Sequence, residues 1–332
     1  MTRNLTLLAA LGAAVALSAL AAQADTNDLE LIEVQRIWDE APHNAFTDLI
    51  RFEGVWYCAF REGEVHGNHP TGQVRVIRSE DGEEWESTAV MQWDGGDVRD
   101  PKLSITAEGK LMLTSAVYFT SAVDDTVRQS VTWLTSDGED WGSVNACLSG
   151  VNTWRWNTTW HNGMGYNIGY SGKDAAGTLY RTRDGKQWET LLEDYFPEGE
   201  GNETSLVFGP DDTAYCLLRD GPGGMGHLGV AEPPYSEWTW ADLGARIGGP
   251  EMIRLSDGRF LAAVRLYDGG ARTSLCWIDP DEGTIREFLE LPSGGDTSYA
   301  GLVEHEGVIW MSYYSSHEEK SAIYLARLNI LD

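Results

Sequence analysis

Three arginines stand at the ends of apolar strands and could bind one anion between them. Arg61 closes Tyr57-Cys58-Ala59-Phe60-Arg61, Arg219 closes Cys216-Leu217-Leu218-Arg219, and Arg265 closes Ala262-Ala263-Val264-Arg265. A guanidinium meets a carboxylate with two parallel hydrogen bonds, so three delivered to one rim would make an anion site. Arg272 competes with Arg265 for the third place. Histidines occur nearby: His43 in Pro42-His43-Asn44-Ala45-Phe46, and His66 and His69 in the loop that runs from Glu62 to His69. Imidazole changes charge near neutral pH and suits proton transfer beside a bound carboxylate. Aromatic residues crowd Thr153-Trp154-Arg155-Trp156-Asn157-Thr158-Thr159-Trp160-His161, with Tyr166 just beyond. Sugars stack on such faces, and Trp160 is taken as the substrate-binding representative. No metal is expected, because His66 and His69 have no third ligand at a defining spacing and no CxxC occurs. No cofactor is expected either. The Gly221-Pro222-Gly223-Gly224 loop lacks the strand and helix that flank a phosphate cradle.

Strands and turns must position these groups. The stretch Ser79-Glu80-Asp81-Gly82-Glu83-Glu84-Trp85 follows the alternating run Gln73–Arg78 and recurs as Thr135–Trp141 and Thr182–Trp188. In each copy the Asp can accept hydrogen bonds from the turn's own N–H groups, and the Gly tolerates positive φ. The three Asp residues are 56 and 47 residues apart. A repeat of that length, with several short strands per unit, predicts a β-propeller. Six blades follow along the chain. The first comprises Phe46–Phe52, Val55–Phe60, Gln73–Ser79 and Ala89–Trp93. The second comprises Lys102, Leu111–Val117 and Val131–Thr135. The others open at Trp154, Thr204, Met252 and Gly301. The early strand Leu29–Ile37 is left over and is expected to pair with the last blade and close the ring, since closure removes exposed strand edges.

The leader reads as a secretory signal peptide: a short basic start, an apolar run from Leu5 to Ala22, and cleavage after Ala24. The fold is then expected over 25–332 as one monomeric domain, secreted or periplasmic. The formal net charge is −28, and removing the leader, whose only charge is Arg3, makes it one unit more negative. Such acidity argues against nucleic acid and anionic membranes as partners. Cys58, Cys147, Cys216 and Cys276 are expected as buried small residues, not as disulfides or metal ligands.

With these turns and six blades, the chain resembles the sialidase (neuraminidase) superfamily, as a divergent member. In that family a neutral phenol attacks the sugar, a Glu takes its proton, an Asp serves as acid/base, and a trio of arginines grips the substrate carboxylate. The segment Gly295-Asp296-Thr297-Ser298-Tyr299-Ala300-Gly301 is similar to the one carrying the nucleophile, which implies that role for Tyr299. Gly201-Asn202-Glu203-Thr204-Ser205 resembles the Asn-Glu segment, which implies Glu203 as its base, with Arg219 sixteen residues later as in the family. The chain departs from the family at two places. Pro42–Phe46 holds no arginine, and the loop that carries the family's Asp offers His66 or His69, of which His66 is assigned as acid/base. The resemblance implies an exo-glycosidase acting on an acidic sugar. His43, His66, His69 and Tyr299 also resemble the His/Tyr pattern of propeller lyases that cleave uronic-acid polysaccharides. A non-catalytic sugar-binding propeller is the third reading.

Overall fold

The alternating segments form six antiparallel four-stranded sheets in the computed structural model, which describes residues 29–171, 176–221 and 223–331. The expected leader, 1–24, lies outside the described residues. Blade I holds His43–Phe52, Val55–Gly63, Gln73–Ser79 and Glu86–Met91; blade II holds Gly96–Ile105, Leu111–Val123, Thr126–Thr135 and Asn145–Ala146. The inner strands of blades III, IV and V are Trp154–His161, Gly201–Phe208 and Ile247–Arg254, each followed by three more strands of its sheet. Blade VI is built from Thr297–His305, Val308–Ser315, Ala322–Ile330 and, from the other end of the chain, Leu29–Trp38. That last pairing runs from Leu29 opposite Ile330 to Trp38 opposite Ile323, so the ring closes as the sequence predicts. Among the described residues there is no helix.

Burial follows position in the ring. Each inner strand packs on the inner strands of its two neighbours, and the outermost strands carry the exposed residues. The seam between blades VI and I shows what joins the blades: Trp56 and Trp310 pack with ring centroids 4.4 Å apart and ring planes tilted by 31°, inside a cluster that includes Leu49, Ile77 and Ile323. Side chains of this size contribute roughly 1.5–3 kcal/mol each when fully buried. The four cysteines are free and buried within such clusters.

The three repeated turns share one geometry. The hydroxyls of Ser79, Thr135 and Thr182 accept from the N–H groups of Gly82, Gly138 and Gly185. Each hydroxyl also donates to the turn's Asp. The Asp Oδ1 in turn accepts two N–H bonds from the residues beyond the Gly, at 2.8–3.2 Å. These bonds hold Asp81 and Asp137 below the usual carboxylate range, Asp137 to about 2. The glycines serve a second purpose. A Cβ on Gly82 would lie 2.4 Å from Trp310, on Gly138 2.0 Å from the Tyr57 hydroxyl, and on Gly185 2.4 Å from Met112. Each of these partners sits on the second strand of the preceding blade, so every such turn is wedged against its neighbour. Trp85 folds back as expected, donating to Gly82 O at 3.1 Å.

Candidate active site

One irregularity recurs in all six inner strands. The register slips between Ala45 and Asp48, Arg99 and Lys102, Arg155 and Thr158, Gly201 and Thr204, Gly248 and Glu251, and Ser298 and Gly301. At each slip two residues oppose one, a β-bulge that bends the strand and re-aims side chains. The bulged pairs include Phe46, Asp100, Trp156, Glu203, Gly249 and Tyr299. Phe46, Asp100 and Tyr299 have φ of 59°, 53° and 53°, a conformation that costs a non-glycine residue roughly 1–3 kcal/mol. The six bulges therefore form a ring of re-aimed side chains near one mouth of the central channel.

Tyr299 and Glu203 meet there. The Tyr299 hydroxyl donates to Glu203 Oε1 at 2.5 Å. Arg219 Nη1 lies 2.9 Å from Glu203 Oε2 and 3.4 Å from the Tyr299 hydroxyl. The backbone N–H of Gly249 donates to the same Oε2 at 2.8 Å. Gly249 has φ 54°, and a Cβ there would stand 2.7 Å from the Tyr299 ring, so the bulge of blade V must be glycine for Tyr299 to lie against it. Burial raises the Glu203 carboxyl, but the charge of Arg219 and the hydrogen bonds from Tyr299, Arg219 and Gly249 outweigh it, leaving Glu203 below its ordinary value. Burial first, then the charge of Glu203, holds the Tyr299 phenol well above its ordinary value against the pull of Arg265 and Arg219. The pair is thus a neutral phenol bonded to an ionised carboxylate, the state in which a base is ready to accept the proton.

Beside it stands a second cluster. Asp296 Oδ2 is shared by His66 Nδ1 at 2.6 Å and His43 Nε2 at 3.1 Å. Its Oδ1 accepts from Tyr314 at 2.6 Å and from Arg265 Nη2 at 3.2 Å. Burial pushes Asp296 up, but the bonds from His43, His66 and Tyr314 bring it well below the carboxylate range. Phe46 joins the clusters, its ring 5.1 Å from both His66 and Tyr299. The donor atoms of His43, His66 and Asp296 lie within 4.8 Å of one another, a spacing open to a metal ion. The guanidinium of Arg265 on the same carboxylate opposes a second cation, so the cluster reads better as an acid/base dyad.

The arginines expected to converge have three different fates. Arg219 is on Glu203. Arg265 passes 5.2 Å from the Tyr299 ring and donates to Asp296, Tyr314 and Thr297 O. Arg61 does not join them: its side chain is wholly buried, gripping Asp97 at 2.7 and 3.1 Å and Val65 O at 2.7 Å. The expectation that Arg61 binds substrate is corrected for that reason. It instead pins the loop that carries His66, whose other side is held by His69 N–H on Asp97 at 3.3 Å. Arg272, the competitor, lies on the outer part of blade V with Glu287 and Asp268.

Two further placements differ from expectation. The ring of His69 turns to Thr71 at 2.8 Å, so it does not share Asp296 with His66. Trp160 lies four residues past the blade III bulge, where it lines a 530 Å³ cavity together with Ile105, His161, Phe208 and Arg254. At about 3.3 Å per residue this is the opposite mouth of the channel. Trp154 and Trp156 are the aromatics on the Tyr299 side, with Trp156 5.8 Å from Tyr299.

A cleft of about 190 Å³ opens onto Tyr299 and Glu203, lined also by Asn68, Arg99, Asp100, Tyr118, Arg128, Trp154 and Tyr170. Arg99, Asp100, Arg128 and Asp296 are site residues that the sequence does not single out. One signal was available. Asp100-Pro101-Lys102-Leu103 lies in the inner strand of its blade as Asn202-Glu203-Thr204-Ser205 and Tyr299-Ala300-Gly301-Leu302 lie in theirs.

No protein-family model matches the chain, and no curated protein does. Solved structures do. A protein of unknown function from Dyadobacter fermentans superposes with a TM-score of 0.81 at 18% identity, covering 92% of this chain and 100% of that one. The sialidase of Trypanosoma rangeli, in complex with sialic acid, gives 0.66 at 11% identity over 90% of this chain and 58% of that one. The NanB sialidase of Streptococcus pneumoniae gives 0.64 at 10% identity, covering 90% and 70%. The chain thus has the six-bladed propeller fold of these sialidases, at an identity low enough that the likeness speaks to fold alone.

Proposed function

We propose that this protein is a glycosidase acting on an acidic sugar at the Tyr299 mouth of the channel. The observation that carries the reading is the 2.5 Å hydrogen bond from the buried Tyr299 hydroxyl to Glu203, whose charge Arg219 holds in place. In the first step the phenolic oxygen bonds to the anomeric carbon while its proton passes to Glu203. The bond to the leaving oxygen breaks as His66, backed by Asp296, protonates that oxygen through Nε2. Water, deprotonated by His66, then displaces Tyr299, and the phenolate recovers its proton from Glu203. The net change is hydrolysis with retention. The leader-like segment supports a site of action outside the cytoplasm.

The test is turnover of aryl glycosides of sialic and uronic acids. Tyr299→Phe keeps the ring against Gly249 and removes the attacking atom, so turnover should fall roughly 10²-fold or more with the fold intact. A 2,3-difluoro sugar acid should label Tyr299 in the intact protein, read by peptide mass. Full turnover in Tyr299→Phe would reject the reading. The His66–Asp296 bond equally suits a general base, which favours a lyase as the second reading. An ultraviolet-absorbing unsaturated product from a uronate polysaccharide would select it.

A further inference from the structure

The mouth of the channel opposite Tyr299 carries a cavity of about 530 Å³, a size that suits a small molecule. Its floor is built just past the bulges of the inner strands. Asp48 comes from blade I, Asn157 from blade III and Glu251 from blade V. Glu251 is fully engaged. Its Oε1 accepts from Ser205 of blade IV at 3.2 Å, and its Oε2 accepts from Lys102 of blade II at 3.3 Å and from Asn157 Nδ2 at 3.4 Å. Lys102 gives a second hydrogen bond to Ala300 O of blade VI at 3.3 Å. Two carboxylates therefore face one buried cation, and Glu251 holds it. Asp48 accepts from Leu103 N–H at 2.5 Å. Burial nonetheless pushes its carboxyl up to about 7, against the pull of Lys102 and helped by the charge of Glu251. A second acceptor stands on the same floor. Asn157 is 8% exposed, lines the cavity, and its Oδ1 accepts from no group among the described residues. A ligand that completes this floor must bring donors, and the unmatched carboxylate asks for a positive charge. Above the floor the wall is apolar, made by Ile50, Ile105, Trp160, Phe208 and Val303. The basic groups of the rim are engaged elsewhere. Arg254 lies over the Gly258 turn, where a Cβ would be 3.0 Å from its Nη2, and His161 is bonded to Asp212 at 2.8 Å.

We propose that this second mouth binds a primary ammonium group carried on an apolar stem. The head donates to Asp48 and to Asn157 Oδ1, and the stem lies along Trp160 and the aliphatic wall. An ammonium brings three donors and one charge, which is what the floor is missing. Sugar hydroxyls would satisfy Asn157 but leave the charge of Asp48 unmatched. A divalent ion would stand against Lys102 with one carboxylate already engaged. A formal net charge of −28 disfavours an anionic ligand and draws cations toward the surface. This site is independent of what Tyr299 does at the other mouth.

Calorimetry on the full chain tests it, at pH 8 in physiological salt, where Asp48 is ionised and surface attraction is screened. Lys102 and Glu251 are the charged groups facing Asp48, and Lys102 stays protonated there because the two carboxylates outweigh burial and raise it. Hexylammonium is titrated beside hexanol and hexanoate, which share its stem, with calcium as competitor. Hexylammonium should bind more tightly than either. Asp48→Asn keeps the shape of the floor and should weaken hexylammonium roughly ten- to a hundredfold, the scale of hydrogen bonds to a charged group. Ile105→Arg, at an exposed position of the wall, should weaken it a few-fold by repulsion and decides the matter if Asp48→Asn folds poorly. A blocked tripeptide, Gly-Lys-Gly, carries the same head on a peptide. Tighter binding of the tripeptide would uphold the ammonium site and assign it to a lysine side chain; weaker binding would assign it to a free amine. Hexanol binding as tightly as hexylammonium, unchanged affinity in both variants, no binding in the wild type, or displacement by equimolar calcium would each overturn the proposal.

Discussion

Substituting Asp97 by Asn should do two separable things. Arg61 and Asp97 are both fully buried, joined by bonds of 2.7 and 3.1 Å. Asn keeps the shape and removes the charge, leaving Arg61 as an uncompensated buried cation at a cost of roughly 3–5 kcal/mol. Against a total stability on the order of 5–15 kcal/mol that is a large fraction. With about 2–4 °C per kcal/mol for a domain of this size, the melting temperature should drop by roughly 6–20 °C. The second effect is local. Arg61 donates to Val65 O and Asp97 accepts from His69 N–H, so the pair clamps the His66 loop from both sides. Calorimetric melting reads the first effect. Turnover at 25 °C, compared between good and poor leaving groups, reads the second, because a displaced proton donor hurts poor leaving groups most. In the double variant Arg61→Met/Asp97→Leu the buried charges are gone, so stability should recover while turnover stays low. Wild-type melting in Asp97→Asn would refute the buried-charge reasoning. Wild-type turnover in the double variant would refute the clamp.

Gly138→Ala should destabilise the protein by more than the roughly 1 kcal/mol scale of an ordinary surface change, because its φ is 76° and the new Cβ would fall 2.0 Å from the Tyr57 hydroxyl; chemical denaturation checks this. Asp48, buried in the channel near Lys102 and Glu251, is pushed by burial from 3.8 up to about 7. Through Asp48 the folded state therefore binds more protons than the unfolded one between those values, so the contribution of Asp48 to stability falls as pH rises from about 4 to 7. Asp48→Asn should flatten that decline, raising the melting temperature relative to wild type more at pH 8 than at pH 4. Glu203 is held below its ordinary value, so the acid limb of turnover that reports its ionisation should lie below the usual glutamate value of about 4.3. Glu203→Gln should abolish that limb along with roughly 10²-fold or more of the rate, measured as a pH–rate profile.

Blade number, the closing strand and the meeting of Tyr299 with Glu203 could all be read from the chain, because each leaves a local mark: alternation, an Asp-Gly turn, or a short segment with a familiar neighbour. The bulges leave none. Phe46, Asp100 and Tyr299 adopt positive φ without being glycine, and nothing in their side chains announces it. For the same reason the inner strand of blade II, expected from Lys102, begins at Gly96 and takes in Asp97, Arg99 and Asp100. The shared form of an apolar strand ending in Arg was real, yet it could not tell Arg61 from Arg219. The difference lies on the partner: Arg61 faces Asp97 from the next blade and Arg219 faces Glu203 from its own. Trp160 was misplaced by the same blindness, since position along a strand decides which mouth a side chain serves.

The pairing of Leu29–Trp38 with Ala322–Ile330 has a consequence for how the chain comes into being. Synthesis proceeds from the N-terminus, so the first strand emerges about three hundred residues before its partner. Blades I to V can each form from contiguous segments as they appear, while blade VI stays incomplete until the last segment arrives. During that interval Leu29–Trp38 is an unpaired edge, available to any other strand it meets. Its exposed charges, Glu30 and Arg36, disfavour pairing with a foreign strand until the chain's own end arrives.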